Sequence, residues 1–127
     1  MITGTALVLD EPLSLWGGVD PASGLIIDVH HPQCGAAIGG RVLVMPSGRG
    51  SSSSASVLAE AVRAGTAPAA ILIGEADLIL AIGSAVAEEL YGVRVPVVVK
   101  PLDRLARIRD GMVLQIGPRG GVRRASA

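Results

Sequence analysis

Phenylalanine is absent from this chain, which carries one tryptophan, Trp16, and one tyrosine, Tyr91. A core without large rings has to be filled by Val, Ile, Leu and Ala, and the 17 glycines allow backbones to approach closely. Cysteine is almost as scarce. Cys34 alone excludes an internal disulfide and can assemble neither a cysteine-only iron-sulfur site nor a tetrahedral zinc site, so any such cofactor has to come from elsewhere. Net charge is missing too, with eleven basic and eleven acidic residues, so there is no broad field of the kind that collects nucleic acid or anionic lipid. No apolar run approaches the roughly 20 residues that span a bilayer, and no basic segment with a signal-type apolar stretch opens the chain. Neither nucleic acid nor a membrane is an expected partner, and a cytoplasmic location is expected.

What is present is a chain of 127 residues, half of them hydrophobic, which suits a single domain with a real core. A mean hydropathy of +0.54 with so few aromatics suggests a compact body with a partner surface. Short β-branched runs bounded by turn residues predict buried strands at Thr5 to Leu9, Leu25 to Val29, Arg41 to Met45, Ala70 to Ile73, Pro96 to Val99 and Met112 to Ile116. Val57, Leu58, Ala61 and Val62 recur at helical spacing before Gly65, which predicts a helix from about Ser52 to Ala64. A second, shorter helix is predicted over Ser84 to Leu90, closed by Tyr91-Gly92. Six strands against two helices argue for a mixed α/β domain, barrel-like or layered, rather than a bundle. The polar, glycine-rich stretch from Gly117 to Ala127 is expected to be frayed, or ordered only by a partner.

The segment from Val42 to Met45, Pro46-Ser47-Gly48-Arg49-Gly50, and Ser51 to Ser54 reads as a strand, a glycine turn and a helix start. Such a junction aims backbone N–H groups and the positive end of a helix dipole at one spot, which suits a carboxylate or phosphate. It is not a P-loop, because no Lys follows the glycines. It is not a dinucleotide fingerprint either, because Ser53 holds the place of the third glycine. Several hydroxyls beside Arg49 at a helix N-terminus can hold an anion and help stabilise a deprotonated serine, whose free hydroxyl is otherwise a poor base. The alternative is that Ser51 to Ser54 supply an N-cap and a solvated turn, although four consecutive serines exceed what capping requires.

Other polar residues have structural readings. His30 and His31 follow a predicted strand, where a surface or hydrogen-bonded structural role outweighs acid–base work. Trp16 to Pro21 reads as a structural loop with Asp20 initiating a turn. Asp77 could cap the segment that follows or reach a site at the strand ends, with the cap the stronger reading, and Cys34 reads as a free thiol in a loop rather than a ligand.

Several separated motifs, in order, resemble a known family. They are Glu11 to Pro21 with its Trp-Gly-Gly-Val-Asp-Pro core, Gly24, Ile27-Asp28, His31-Pro32, Gly40 to Pro46, Gly48 to Ser51, Ala67 to Ala70, Ala81 to Gly83 and Pro96 to Val98. Together they resemble the small subunit of aconitase X, over most of the chain except the tail. The resemblance implies an α/β fold of the swivelling β/β/α kind, aconitase-swivel-like, over residues 1–116; the tail, 117–127, lies outside it and is expected to be flexible on its composition. It implies an aconitase X large subunit as partner, holding an iron-sulfur cluster that this chain does not hold. The family's chemistry implies a small-molecule hydroxy acid substrate, from which a swivel-domain serine removes the proton α to a carboxylate. That serine is the first after Gly50, hence Ser51, with Arg49, Gly50 and Ser52 as substrate-binding neighbours. Aconitase proper has an arginine soon after its serine pair. Here Ser53 stands in that place and the nearest arginine, Arg49, precedes the serine.

Two-subunit members act on cis-3-hydroxy-L-proline or on mevalonate 5-phosphate. The archaeal small subunits usually read Gly-Ser-Thr at this loop, so the run Gly50 to Ser54 followed by Val57-Leu58-Ala59-Glu60 favours the hydroxyproline reaction, in a chain inactive by itself. Two readings of other classes stand beside this one. One is a phosphoryl-carrier swivel domain using His30 or His31, and the other is a non-catalytic anion-binding or assembly module.

Overall fold

A computed structural model describes residues 1–125. Its centre is a six-stranded mixed sheet. The chain contributes β1 (Ile2–Val8), β4 (Val42–Met45), β5 (Ala70–Ile73), β6 (Val97–Val99), β7 (Val113–Ile116) and β8 (Val122–Arg124), in the spatial order β6-β5-β4-β1-β7-β8. A small antiparallel pair, β2 (Val19–Asp20) and β3 (Leu25–Ile26), stands apart from it. Four helical segments complete the chain: α1 (Leu15–Gly18), α2 (Ser54–Ala64), α3 (Leu78–Tyr91) and α4 (Leu102–Leu105).

β1 is the hinge of the topology, because its two halves have different partners. Its N-terminal half pairs antiparallel with β7, from Ile2 opposite Ile116 to Thr5 opposite Val113. Its C-terminal half pairs parallel with β4, from Ala6 opposite Val42 to Val8 opposite Val44. β4, β5 and β6 then run parallel, which brings their C-terminal ends, and the loops that follow, to one edge.

β4 and β5 are buried at every position because both sheet faces are covered. Alternate residues therefore enter different cores. Leu43, Met45, Ile71 and Ile73 join Leu58 of α2 and Leu80 of α3 on one face. Val42, Val44, Ala70 and Leu72 join Leu105 of α4 and Leu114 of β7 on the other. Each fully buried Leu or Ile contributes about 1.5–3 kcal/mol, so two aliphatic cores stand in for the missing rings. The sheet is curled. Gly120, in the β7–β8 turn, faces the side chain of Val98 in β6, and Arg94 donates to the Pro118 carbonyl at 3.4 Å, so opposite ends of the sheet approach each other.

The mixed α/β expectation holds, and all six expected strands are present. The 25–29 strand is shorter than expected: the Ile27 N–H still bonds to the Gly18 carbonyl, but Asp28 Oδ1 then accepts from His30 N–H to make a turn. α3 begins six residues before the expected Ser84. Its first two turns are apolar almost all round, which hides the helical period. The tail expectation needs correction within residues 117–125. Gly117 to Gly121 close a turn, and Val122 to Arg124 pair with Leu114 to Ile116 as β8, with Val122 packed on the second core. Backbone pairing supplies what the polar sequence could not. Ser126 and Ala127 lie outside the described residues.

Candidate active site

The Gly-Arg-Gly-Ser segment leaves β4 at the C-terminal edge of the parallel strands and turns into α2. It is anchored at three points. Gly48 bridges to Leu13, the Arg49 N–H meets the Leu13 carbonyl at 3.4 Å, and the Pro46 carbonyl accepts from Gly74 N–H at 3.0 Å. Glycine at 48 leaves room for the Asp77 carboxylate, which a Cβ there would overlap unless it turned away. Asp77 in turn caps α3, accepting from Leu80 N–H at 3.0 Å through Oδ1, as expected of it.

The serines divide their work. Ser51 Oγ, half-buried, accepts from Ser53 N–H at 3.3 Å, and the Ser51 carbonyl accepts from Ser54 N–H at 3.0 Å. Ser53 occupies the N-cap position of α2 but makes no side-chain capping bond. Buried Ser54 instead accepts from Trp16 N–H at 3.2 Å, tying α1 to the start of α2 across 38 residues of sequence. Ser52 is exposed. Simple capping therefore does not account for the run. Among the described residues, the N–H groups of Gly50, Ser51 and Ser52 have no hydrogen-bond acceptor, so three backbone donors remain available beside the Ser51 hydroxyl.

Ser51, Gly50 and Arg49 share a depression with Asp77 and Leu80, of about 10 Å³. That volume holds about one water molecule, not an organic acid. Ser52 does not line it. The Arg49 guanidinium is exposed and pairs loosely with Glu11, at 3.9 Å. Asp77 is legible in sequence as a cap, with a place at the strand ends as the weaker reading; it both caps α3 and lines the depression, because α3 packs on the loop.

His31 is structural. It is 4% exposed, its Nδ1 accepts from Gln33 N–H at 3.0 Å, and its Nε2 lies 3.1 Å from the Glu11 carbonyl. An accepting Nδ1 leaves the proton on Nε2, which then donates to Glu11. His30 sits exposed in a turn. Asp20 initiates its turn as expected, with its carboxylate accepting from Ala22 N–H and Ser23 Oγ. Cys34 is an exposed free thiol. Among the described residues no three His, Cys, Asp or Glu side chains converge as metal ligands. No helix among them is long and apolar enough to cross a membrane.

Comparison with known proteins joins this geometry to a family. Residues 1–123 match the family model of the aconitase X swivel domain. A cis-3-hydroxy-L-proline dehydratase of Pseudomonas aeruginosa is 52% identical over 95 residues, which are 75% of this chain and 16% of that protein. The chain thus spans about a sixth of that relative's length. The phosphomevalonate dehydratase small subunit of Methanopyrus kandleri is 38% identical over 122 residues, 95% of this chain and 86% of that subunit. Among solved structures, aconitase X of Thermococcus kodakaraensis in its holo-form superposes with a TM-score of 0.85 at 30% identity, covering 98% of this chain and 89% of that one. The motifs, the curled mixed sheet and the Gly-Ser loop at its edge have one common source: this chain belongs to the aconitase X swivel-domain family.

Proposed function

We propose that this chain is the small subunit of a two-chain aconitase X-type dehydratase that acts on cis-3-hydroxy-L-proline, with Ser51 as the base. The observation that carries the reading is the Ser51 hydroxyl at the mouth of α2, in a depression too small to enclose a substrate. Such a half-site works by closing against a second chain. The 86% coverage of the Methanopyrus small subunit supports the two-chain arrangement. The 52% identity to the Pseudomonas enzyme supports the substrate.

Ser51 takes the proton from C2, α to the substrate carboxylate. The electron pair forms the C2–C3 double bond as the C3 hydroxyl leaves as hydroxide; the proton taken by Ser51 returns through solvent to make water and restore the base, and the enamine product tautomerises to 1-pyrroline-2-carboxylate. A serine alkoxide requires stabilisation. The Ser53 N–H already aimed at Oγ and the positive end of the 11-residue α2 supply it. The unpaired N–H groups of Gly50, Ser51 and Ser52 bind the substrate carboxylate, with Arg49 released from its loose pair with Glu11. This chain's donors do not fit an iron-sulfur cluster, since Cys34 is single and exposed. In this reading the large subunit holds the cluster.

A second reading, the small subunit of a mevalonate 5-phosphate dehydratase, is favoured by chain length, because that relative is matched nearly end to end. A dehydration assay of this chain with an aconitase X large subunit, offering both substrates in parallel, decides between them. Turnover of hydroxyproline that is lost in Ser51→Ala is the expected result. Turnover of mevalonate 5-phosphate alone refutes the substrate assignment, and turnover by Ser51→Ala at the wild-type rate refutes the base.

A further inference from the structure

The zero net charge of the chain conceals a segregation. Residues 1–93 hold three basic and nine acidic side chains, a balance of −6, whereas residues 94–127 hold eight basic and two acidic ones, a balance of +6. The three ion pairs among the described residues consume Arg41, Arg49 and Arg63, the three basic residues of the acidic part. The fold gathers most of the others in one place. Lys100, Arg104, Arg107, Arg123 and Arg124 all line a cavity of about 300 Å³ under the curl of the sheet, between α4 and β7–β8, and among the described residues no carboxylate lines it.

The floor of this cavity is apolar, with half-buried Ile108, Met112 and Val122 at its surface and Leu72 and Leu114 of the second core behind them. None of its lining residues lines the Ser51 depression, and Leu80 beneath that depression belongs to the core on the other sheet face. Five cations around a small cavity repel one another unless an anion sits among them. One carboxylate offers a single charge. A phosphate ester offers nearly two, with three oxygens that guanidinium groups grip in pairs. The volume is at the lower end for small-molecule pockets, and the aliphatic floor suits a carbon skeleton.

We propose that this cavity is a second ligand site, separate from the Ser51 loop, for a phosphomonoester with an apolar body. The phosphate sits among Arg104, Arg107, Lys100 and Arg124, and the body rests on Ile108, Met112 and Val122. Arg123, whose Nε donates to Gln115 Oε1 at 2.9 Å, is held at the rim.

The test is an amide NMR titration of the full isotope-labelled chain with phenyl phosphate, with inorganic phosphate and benzoate in parallel. Saturable shifts are expected at Lys100, Arg104, Arg107 and Val122 to Arg124, without shifts at Gly48 to Ser54. Phenyl phosphate should bind about tenfold tighter than inorganic phosphate because its ring leaves water, and benzoate should bind more weakly than phenyl phosphate. The Arg104→Gln/Arg107→Gln double variant should weaken binding about tenfold, as should Lys100→Met/Arg124→Gln, while Arg63→Gln on α2 changes nothing. The spectrum itself reports whether each variant is folded. Shifts that fail to saturate, shifts centred on Gly48 to Ser54, or undiminished binding by both folded double variants would overturn the proposal.

Discussion

Gly48→Ala tests whether the Ser51 loop and the start of α3 are mechanically coupled. The added methyl would overlap Asp77 Oδ2, so the carboxylate has to swing away. Swinging costs the Oδ1 bond from Leu80 N–H, which is the side-chain cap of a 14-residue helix. A lost cap costs about 0.5–2 kcal/mol, so Gly48→Ala should destabilise the chain by about 1–2 kcal/mol. At about 4 °C per kcal/mol for a domain of this size, the melting temperature falls by roughly 4–8 °C. Asp77→Ala removes the same cap and should cost about the same. In the Asp77→Ala background the methyl has no carboxylate to meet, so Gly48→Ala should then add less than about 0.5 kcal/mol. Urea denaturation of the four proteins gives this coupling directly. Equal costs of Gly48→Ala in both backgrounds would refute the reasoning and assign the glycine to the backbone of the loop instead.

Three further outcomes follow from the same geometry. Ser51→Ala removes one long, half-buried hydrogen bond and should leave stability within about 0.5 kcal/mol. In the proposed two-chain dehydratase its kcat should fall about 10²–10⁴-fold, as for loss of a general base, which steady-state kinetics measures. Gly83→Ala improves helix propensity by about 1 kcal/mol, yet its Cβ would lie 2.9 Å from the Ala55 backbone of α2. Backbone cannot rotate away, so a net loss of about 1–2 kcal/mol in urea is expected, opposite in sign to propensity. On α2, the hydrogen bond from Arg63, at 2.9 and 3.0 Å, holds the Glu60 carboxyl below its ordinary value. Its folded value is depressed, so its contribution is present above the unfolded value and is lost as pH falls through the folded one. A carbon-detected NMR titration should show Glu60 titrating low in the wild type and returning toward the ordinary range in Arg63→Gln.

The sequence by itself determined the local elements whose signals are local. Ala70 to Ile73 is a strand over the expected residues because a run buried on both faces is apolar at every position. The α2 pattern ends on Gly65 because that residue is left-handed, with φ of +77°, at little steric cost. The strand, glycine turn and helix that present Ser51 were legible in the same way, and so was the family, because its motifs are carried by contiguous residues. Tertiary structure alone decided the rest, because it depends on pairings between residues far apart. Nothing local says that β1 changes partner at Ala6, that β7 orders the tail as β8, or that Ser54 holds Trp16. Nothing local says that Gly83 serves a helix contact rather than a turn. The charges were countable from the start, but their sum is blind to position. Only the curl of the sheet sets Lys100 beside Arg124 and turns a neutral chain into one with a cationic cavity.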